Sequence, residues 1–152
     1  RELAAAHKRV DELARAYLAS EQDREDFKQR IQRERERLVD VEKAEVALGL
    51  VEAIDELDLC LQRPDGSALY AGVKLFRDNL LKKLAEKEIV RLELLGERYD
   101  PQTAEAADME LTVSPDDDGR VVAVIRAAYQ LKGRVVRAGR VKVAKYVEPA
   151  RA

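Results

Sequence analysis

The sequence predicts an α+β protein with three parts. These are a long N-terminal coiled-coil helix, a helical hairpin that would close a dimeric four-helix bundle, and a small C-terminal all-β domain. Three observations carry that reading. The first 62 residues contain no proline and one glycine, Gly49, and repeat their apolar residues in heptads. The apolar face then widens and breaks at Pro64-Asp65-Gly66. Past Ile89 the apolar residues alternate with the period of strands. The expected divisions are 1–47 for the stalk helix, 48–88 for the hairpin and 89–152 for the β domain.

In the stalk, Leu3, Val10, Tyr17, Ile31 and Leu38 occupy heptad position a, and Ala6, Leu13, Phe27, Val41 and Leu48 occupy d. Arg24 and Glu45 interrupt the first series; Ser20 and Glu34 interrupt the second. A helix this polar, roughly 90 Å long at about 1.5 Å per residue, has no core of its own and is expected to pair with a copy of itself. The polar seam positions weaken the pairing, so the stalk should melt easily.

The hairpin follows from Leu48, Val51, Ile54, Leu57, Leu59, Cys60 and Leu61, a face broader than a two-stranded seam requires, and from a second helix bearing Leu69, Val73, Phe76, Leu80, Leu81 and Leu84. Two hairpins from a dimer would make four helices. The dimer interface is thus expected at Leu3, Val10, Leu13, Tyr17, Phe27, Ile31, Leu38, Val41, Leu48, Val51, Ile54, Leu57, Val73, Phe76 and Leu80. Cys60 is expected to be a buried small hydrophobe. In the β domain, strands are expected at Val90–Leu94, Met109–Val113, Val121–Tyr129, Arg134–Ala138 and Arg140–Tyr146. They would form one compact antiparallel sheet or small barrel with Gly139 as hinge or bulge.

Charge narrows the function. Charged residues make up 38% of the 152, aromatics 5%, and the net charge is −2, yet Gly119 to Val147 holds eight basic residues and no acidic one. Alternation along the last strand sends Arg140 and Lys142 to one face and Val141 and Val143 to the other. Such a patch suits an acidic protein partner or, less well given a pI near 5.7 and only Tyr129 and Tyr146 for stacking, nucleic acid. The lone histidine, His7, lies at a solvated stalk position, and with one cysteine no common catalytic triad, disulfide or zinc cluster can be built. No phosphate loop occurs, and Asp116-Asp117-Asp118-Gly119 lacks the ligand alternation of a calcium loop. No enzyme, metal or cofactor is expected. No run approaches the about 20 apolar residues of a membrane span, which gives a cytoplasmic expectation, and a chain starting at Arg1 instead of Met leads us to expect a preceding segment.

Four segments together resemble the GrpE family, the nucleotide-exchange factors of DnaK-type chaperones. They are Phe27-Lys28-Gln29-Arg30-Ile31-Gln32-Arg33-Glu34, Ile54-Asp55-Glu56-Leu57-Asp58, Leu95-Gly96-Glu97-Arg98-Tyr99-Asp100-Pro101, and Tyr129 through Gly133-Arg134, Val136-Arg137, Val141, Val143 and Ala144-Lys145. Gly72-Val73 is similar to the family's second-helix start. The sequence departs from the family at Glu88 and Ala128, where glycine is usual, and at Tyr99, Ala104 and Gly139. The resemblance implies a parallel homodimer whose β domain binds the chaperone's ATPase domain and opens its cleft, releasing ADP, with no nucleic-acid or membrane partner. It implies Arg134 as the foremost contact, Arg137 and Lys142 as its neighbours, and Lys28, Arg30 and Arg37 as contacts on the stalk. It also implies that the stalk could serve as a thermosensor. The competing reading is a coiled-coil scaffold or adaptor docking an acidic protein through the basic β domain.

Overall fold

A computed structural model describes residues 1–150. The chain divides into two compact units, Arg1–Glu42 and Lys43–Ala152. The first lies within helix α1, Glu2–Cys60. Its stability is local: Gln22 donates to Asp26, Gln32 to Glu36, Arg24 pairs with Glu21 and Arg37 with Glu34, all three or four residues apart. Leu3, Val10, Leu13, Tyr17, Phe27, Ile31, Leu38 and Val41 are all exposed in the single chain.

In the second unit the last turns of α1 present Ala47, Val51 and Ile54 at helical spacing to a core completed by Leu84, Ile89, Ala127, Tyr129 and Leu131. Val51 and Ile54 are 0% and 1% exposed. Although expected on a dimer face, both are therefore used up inside the chain; Leu48, Leu57, Val73 and Leu80 are half-buried and Phe76 is exposed. Cys60 corrects another expectation, because it is exposed. Nine residues beyond Val51, at about 100° per residue, it falls on the opposite side of the helix from the buried stripe.

Helix α2, Ala68–Glu86, begins where Pro64-Asp65-Gly66 stops α1. The Asp65 carboxylate accepts from the Ser67 N–H at 2.8 Å, and Ser67 Oγ caps the helix by accepting from the Tyr70 N–H at 3.0 Å. Tyr70 Oη donates to the Leu61 carbonyl at 3.1 Å, tying the two helices. Two residues past the end of the helix, Glu88 takes φ 67, in the left-handed region where glycine is favoured. Its departure from the family's glycine is thus a departure at a strained position.

The β domain is two sheets, not one. Strands β1 (Ile89–Arg91), β4 (Tyr129–Leu131) and β5 (Arg134–Arg137) form one, in order β1-β4-β5, all antiparallel. Strands β2 (Ala104–Thr112), β6 (Gly139–Tyr146) and β3 (Val121–Arg126) form the other, in order β2-β6-β3, with β2 parallel to β6. The expected strand Val121–Tyr129 is broken at Ala127-Ala128, both buried. Gly139 sits against this break: a Cβ there would lie 2.9 Å from Leu94 Cδ1, 3.1 Å from the Arg126 carbonyl oxygen and 3.2 Å from Ala128 Cβ. Gly139 is therefore a close-approach residue at the passage from one sheet to the other, required for space. The second sheet packs Ala104, Val121, Val141 and Val143 with Leu94 and Tyr99. Edge strand β2 exposes every residue from Glu105 to Leu111, so Met109 and Leu111 do not form the buried face their alternation suggests. The hairpin helices and the first sheet, by contrast, share one core.

Candidate partner-binding surface

The basic residues of the β domain separate into those spent on the fold and those left over. Arg137 is spent. Its side chain is 11% exposed and grips Asp55 of α1 with two nitrogens, one bond measuring 2.8 Å, while donating to the Ala127 carbonyl at 2.7 Å. Its guanidinium carbon stands 5.4 Å from the centroid of the Tyr129 ring, and that of Arg91 stands at the same distance, so one buried aromatic ring serves two cations.

Arg91 extends the network. Its Nε and Nη2 donate to Tyr129 Oη at 3.0 and 2.6 Å, and Nη2 reaches Asp58 at 2.7 Å. Arg77 of α2 donates to the same carboxylate at 3.0 Å. Burial disfavours charge on Arg91, but the hydrogen bonds to Tyr129 and Asp58 outweigh it and the guanidinium is held above its ordinary value. Burial likewise pushes the Tyr129 hydroxyl up, against a smaller downward pull from Arg91. The network joins α1, α2, β1, β4 and β5, and so fixes the sheet that carries Arg134. Sequence reasoning passed over Asp58, Arg77 and Arg91. The available signal was the pair Asp55 and Asp58, three residues apart on the helix face that carries Val51 and Ile54.

The remaining cations face outward. Arg134 opens β5 just after the tight turn Lys132-Gly133, whose φ values are 49 and 81, and it is exposed with no ion pair or side-chain hydrogen bond among the described residues. Lys142 is held by Asp108 across the β2–β6 ladder at 3.6 Å. Arg140 is exposed and Val141 and Val143 are buried, as alternation predicts, but the pattern slips at the end of the strand, where Ala144 is buried and Lys145 exposed. On the stalk, Lys28 and Arg30 are exposed. Arg37 shares a hydrogen bond and charge with Glu34 at 2.7 Å, which holds the carboxylate below and the guanidinium above their usual values.

The GrpE family model matches residues 1–145 of this chain. The chain belongs to the GrpE family. Protein GrpE of Pediococcus pentosaceus is 32% identical over 138 residues, covering 88% of this chain and 71% of the relative. Protein GrpE of Helicobacter pylori strain J99 is 30% identical over the same length and shares. That of Lactobacillus gasseri is 29% identical over 148 residues, or 95% and 77% of the two chains. Membership places the chain among co-chaperones of the nucleotide-exchange class. Among the described residues of this GrpE chain, no group of three His, Cys, Asp or Glu side chains is placed to hold a metal, and no helix is long and apolar enough to cross a membrane.

Proposed function

We propose that this chain, as a homodimer, binds the ATPase domain of a DnaK-type chaperone and holds its nucleotide cleft open, so that ADP leaves and ATP enters. Such a factor works by population shift: it must bind the open cleft more tightly than the closed one, and a bias of about 5.5 kcal/mol moves the cleft from 1:99 to 99:1 open. The observation that carries the reading is Arg134. It occupies the family's contact position, projects from a sheet braced by the Tyr129 network, and has no partner of its own among the described residues. Lys28, Arg30 and Arg37 are the proposed stalk contacts. Lys142 contributes from the second sheet, and Arg137 acts from beneath by positioning β5.

The exposed seam of α1 supports pairing with a second copy, because an unpartnered helix this long has no tertiary packing to hold it. Its polar interruptions support a thermosensing stalk, which would unwind below the melting temperature of the β domain. A circular dichroism melt with a single transition would reject that part.

The experiment that tests the function is stopped-flow release of a fluorescent ADP analogue from a DnaK-type chaperone, with wild type and Arg134→Ala. Acceleration by wild type, weakened by the substitution, is expected. No acceleration by wild type would overturn the reading in favour of an adaptor.

A further inference from the structure

Arg126 and Arg140 stand directly opposite each other in the β3–β6 ladder, both exposed. Opposed residues in an antiparallel pair bring their Cβ atoms to about 5 Å, where like charges are destabilising. On β6 Lys142 meets Asp108 in an ion pair, whereas Glu105, which stands opposite Arg140 in the β2–β6 ladder, makes none with it among the described residues. Among the described residues Arg140 makes no side-chain bond, and Arg126 makes only a long one, 3.5 Å to the Ala138 carbonyl.

Both arginines line an open cleft of about 430 Å³ whose apolar lining includes Leu59, Val124 and Ile125. The carboxylates that reach the cleft are already bound, Asp55 by Arg137 and Asp58 by Arg77 and Arg91. The cleft therefore holds two cations without an ion pair among the described residues, and Glu105, opposite Arg140 in the ladder, lies outside its lining.

We propose that this cleft is a second contact for the chaperone's ATPase domain, one that takes an acidic side chain with an apolar neighbour. The carboxylate would be shared by the forks of Arg126 and Arg140, whose planar donors match it two by two, and the apolar neighbour would rest on Leu59 and Ile125. No aromatic side chain lines the cleft, which favours a protein segment over a nucleic acid that would stack its bases. The site is separate from Arg134, which belongs to the other sheet. The proposal rests on the exchange-factor reading.

Its test titrates wild type, Arg134→Ala and the double variant Arg126→Gln/Arg140→Gln against the chaperone. The readouts are the half-saturating concentration for ADP release and its dependence on salt. The double variant is expected to need roughly ten- to a hundredfold more factor, in the range of a central interface arginine, with a flatter salt dependence. Its urea midpoint should be unchanged or higher, because a like-charge contact has been removed. Arg126→Lys/Arg140→Lys keeps the charge without the forks and should recover only part of the loss. Half-saturation equal to wild type would overturn the proposal. So would loss, in the double variant, of salt-sensitive binding to a fluorescent single-stranded oligonucleotide while chaperone half-saturation stays unchanged, which would assign the cleft to nucleic acid. Failure of wild type itself to accelerate release would instead strike the exchange reading on which this rests.

Discussion

Asp55→Ala tests whether the bridge from α1 to β5 holds the β domain in place. The substitution removes a carboxylate that receives two bonds from Arg137. It strands a guanidinium that is 11% exposed, whose Nε already has no hydrogen-bond partner, and which would keep only its bond to the Ala127 carbonyl. Breaking a fully buried pair costs about 3–5 kcal/mol. Asp55 is 24% exposed and lines the open cleft, so water can relieve part of that, and about 2–3 kcal/mol is expected. Arg137→Met, which keeps an unbranched chain over Tyr129, should cost less than Asp55→Ala, because no unpaired buried cation is left. The double variant should recover much of the loss, giving a coupling energy of about 1–2 kcal/mol. Urea unfolding at one fixed protein concentration measures all four species, the fixed concentration being needed because self-association would shift the midpoint. An Asp55→Ala cost below about 0.5 kcal/mol, in the range of exposed pairs, would refute the bridge as a stabilising joint.

Three further outcomes are expected. Glu88→Gly should raise stability by about 0.5–1 kcal/mol in thermal melts: it relieves a left-handed residue at φ 67, and the exposed 3.7 Å pair with Lys132 that it gives up is worth little. Gly139→Ala should cost about 1–3 kcal/mol in urea unfolding, because the Arg126 carbonyl and Ala128 leave no room for a methyl group. Tyr129, whose hydroxyl burial holds above the ordinary phenol range, should give a late component in an ultraviolet tyrosinate titration, and that component should vanish in Tyr129→Phe. Since the folded value lies above the unfolded one, near pH 10, the stability linked to this proton is complete below that pH and is lost as pH rises through the folded value.

Much of the helical half was legible because its signals are local. The absence of proline through residue 62, the break at Pro64-Asp65-Gly66 and the Ser67 cap are each decided within a few residues. Strand β6 was legible for the same reason, since alternation alone places Val141 and Val143 inside and Arg140 outside. The rest depends on distant partners. Nothing in the run from Val121 to Tyr129 marks Ala127-Ala128 as a break; only packing against Gly139 and Leu94 does. Arg137 carries a charge that normally signals surface, and its burial is set by a carboxylate 82 residues away. The same holds for Val51 and Ile54, whose apolar spacing fits a second copy as well as it fits Tyr129 and Leu84 of the same chain. Arg134 was found through resemblance, and its geometry adds that the residue is unspent.

Strand β2 leaves a row of backbone donors and acceptors open along the outer edge of its sheet, with Met109 and Leu111 exposed beside it. An edge of this kind invites another strand to add on. Here Glu105, Asp108 and Glu110 interrupt the apolar residues, and an incoming copy of β2 would bring carboxylate against carboxylate. The acidic residues of this strand thus set like charge against like at the one place where a second copy could extend the sheet from β2.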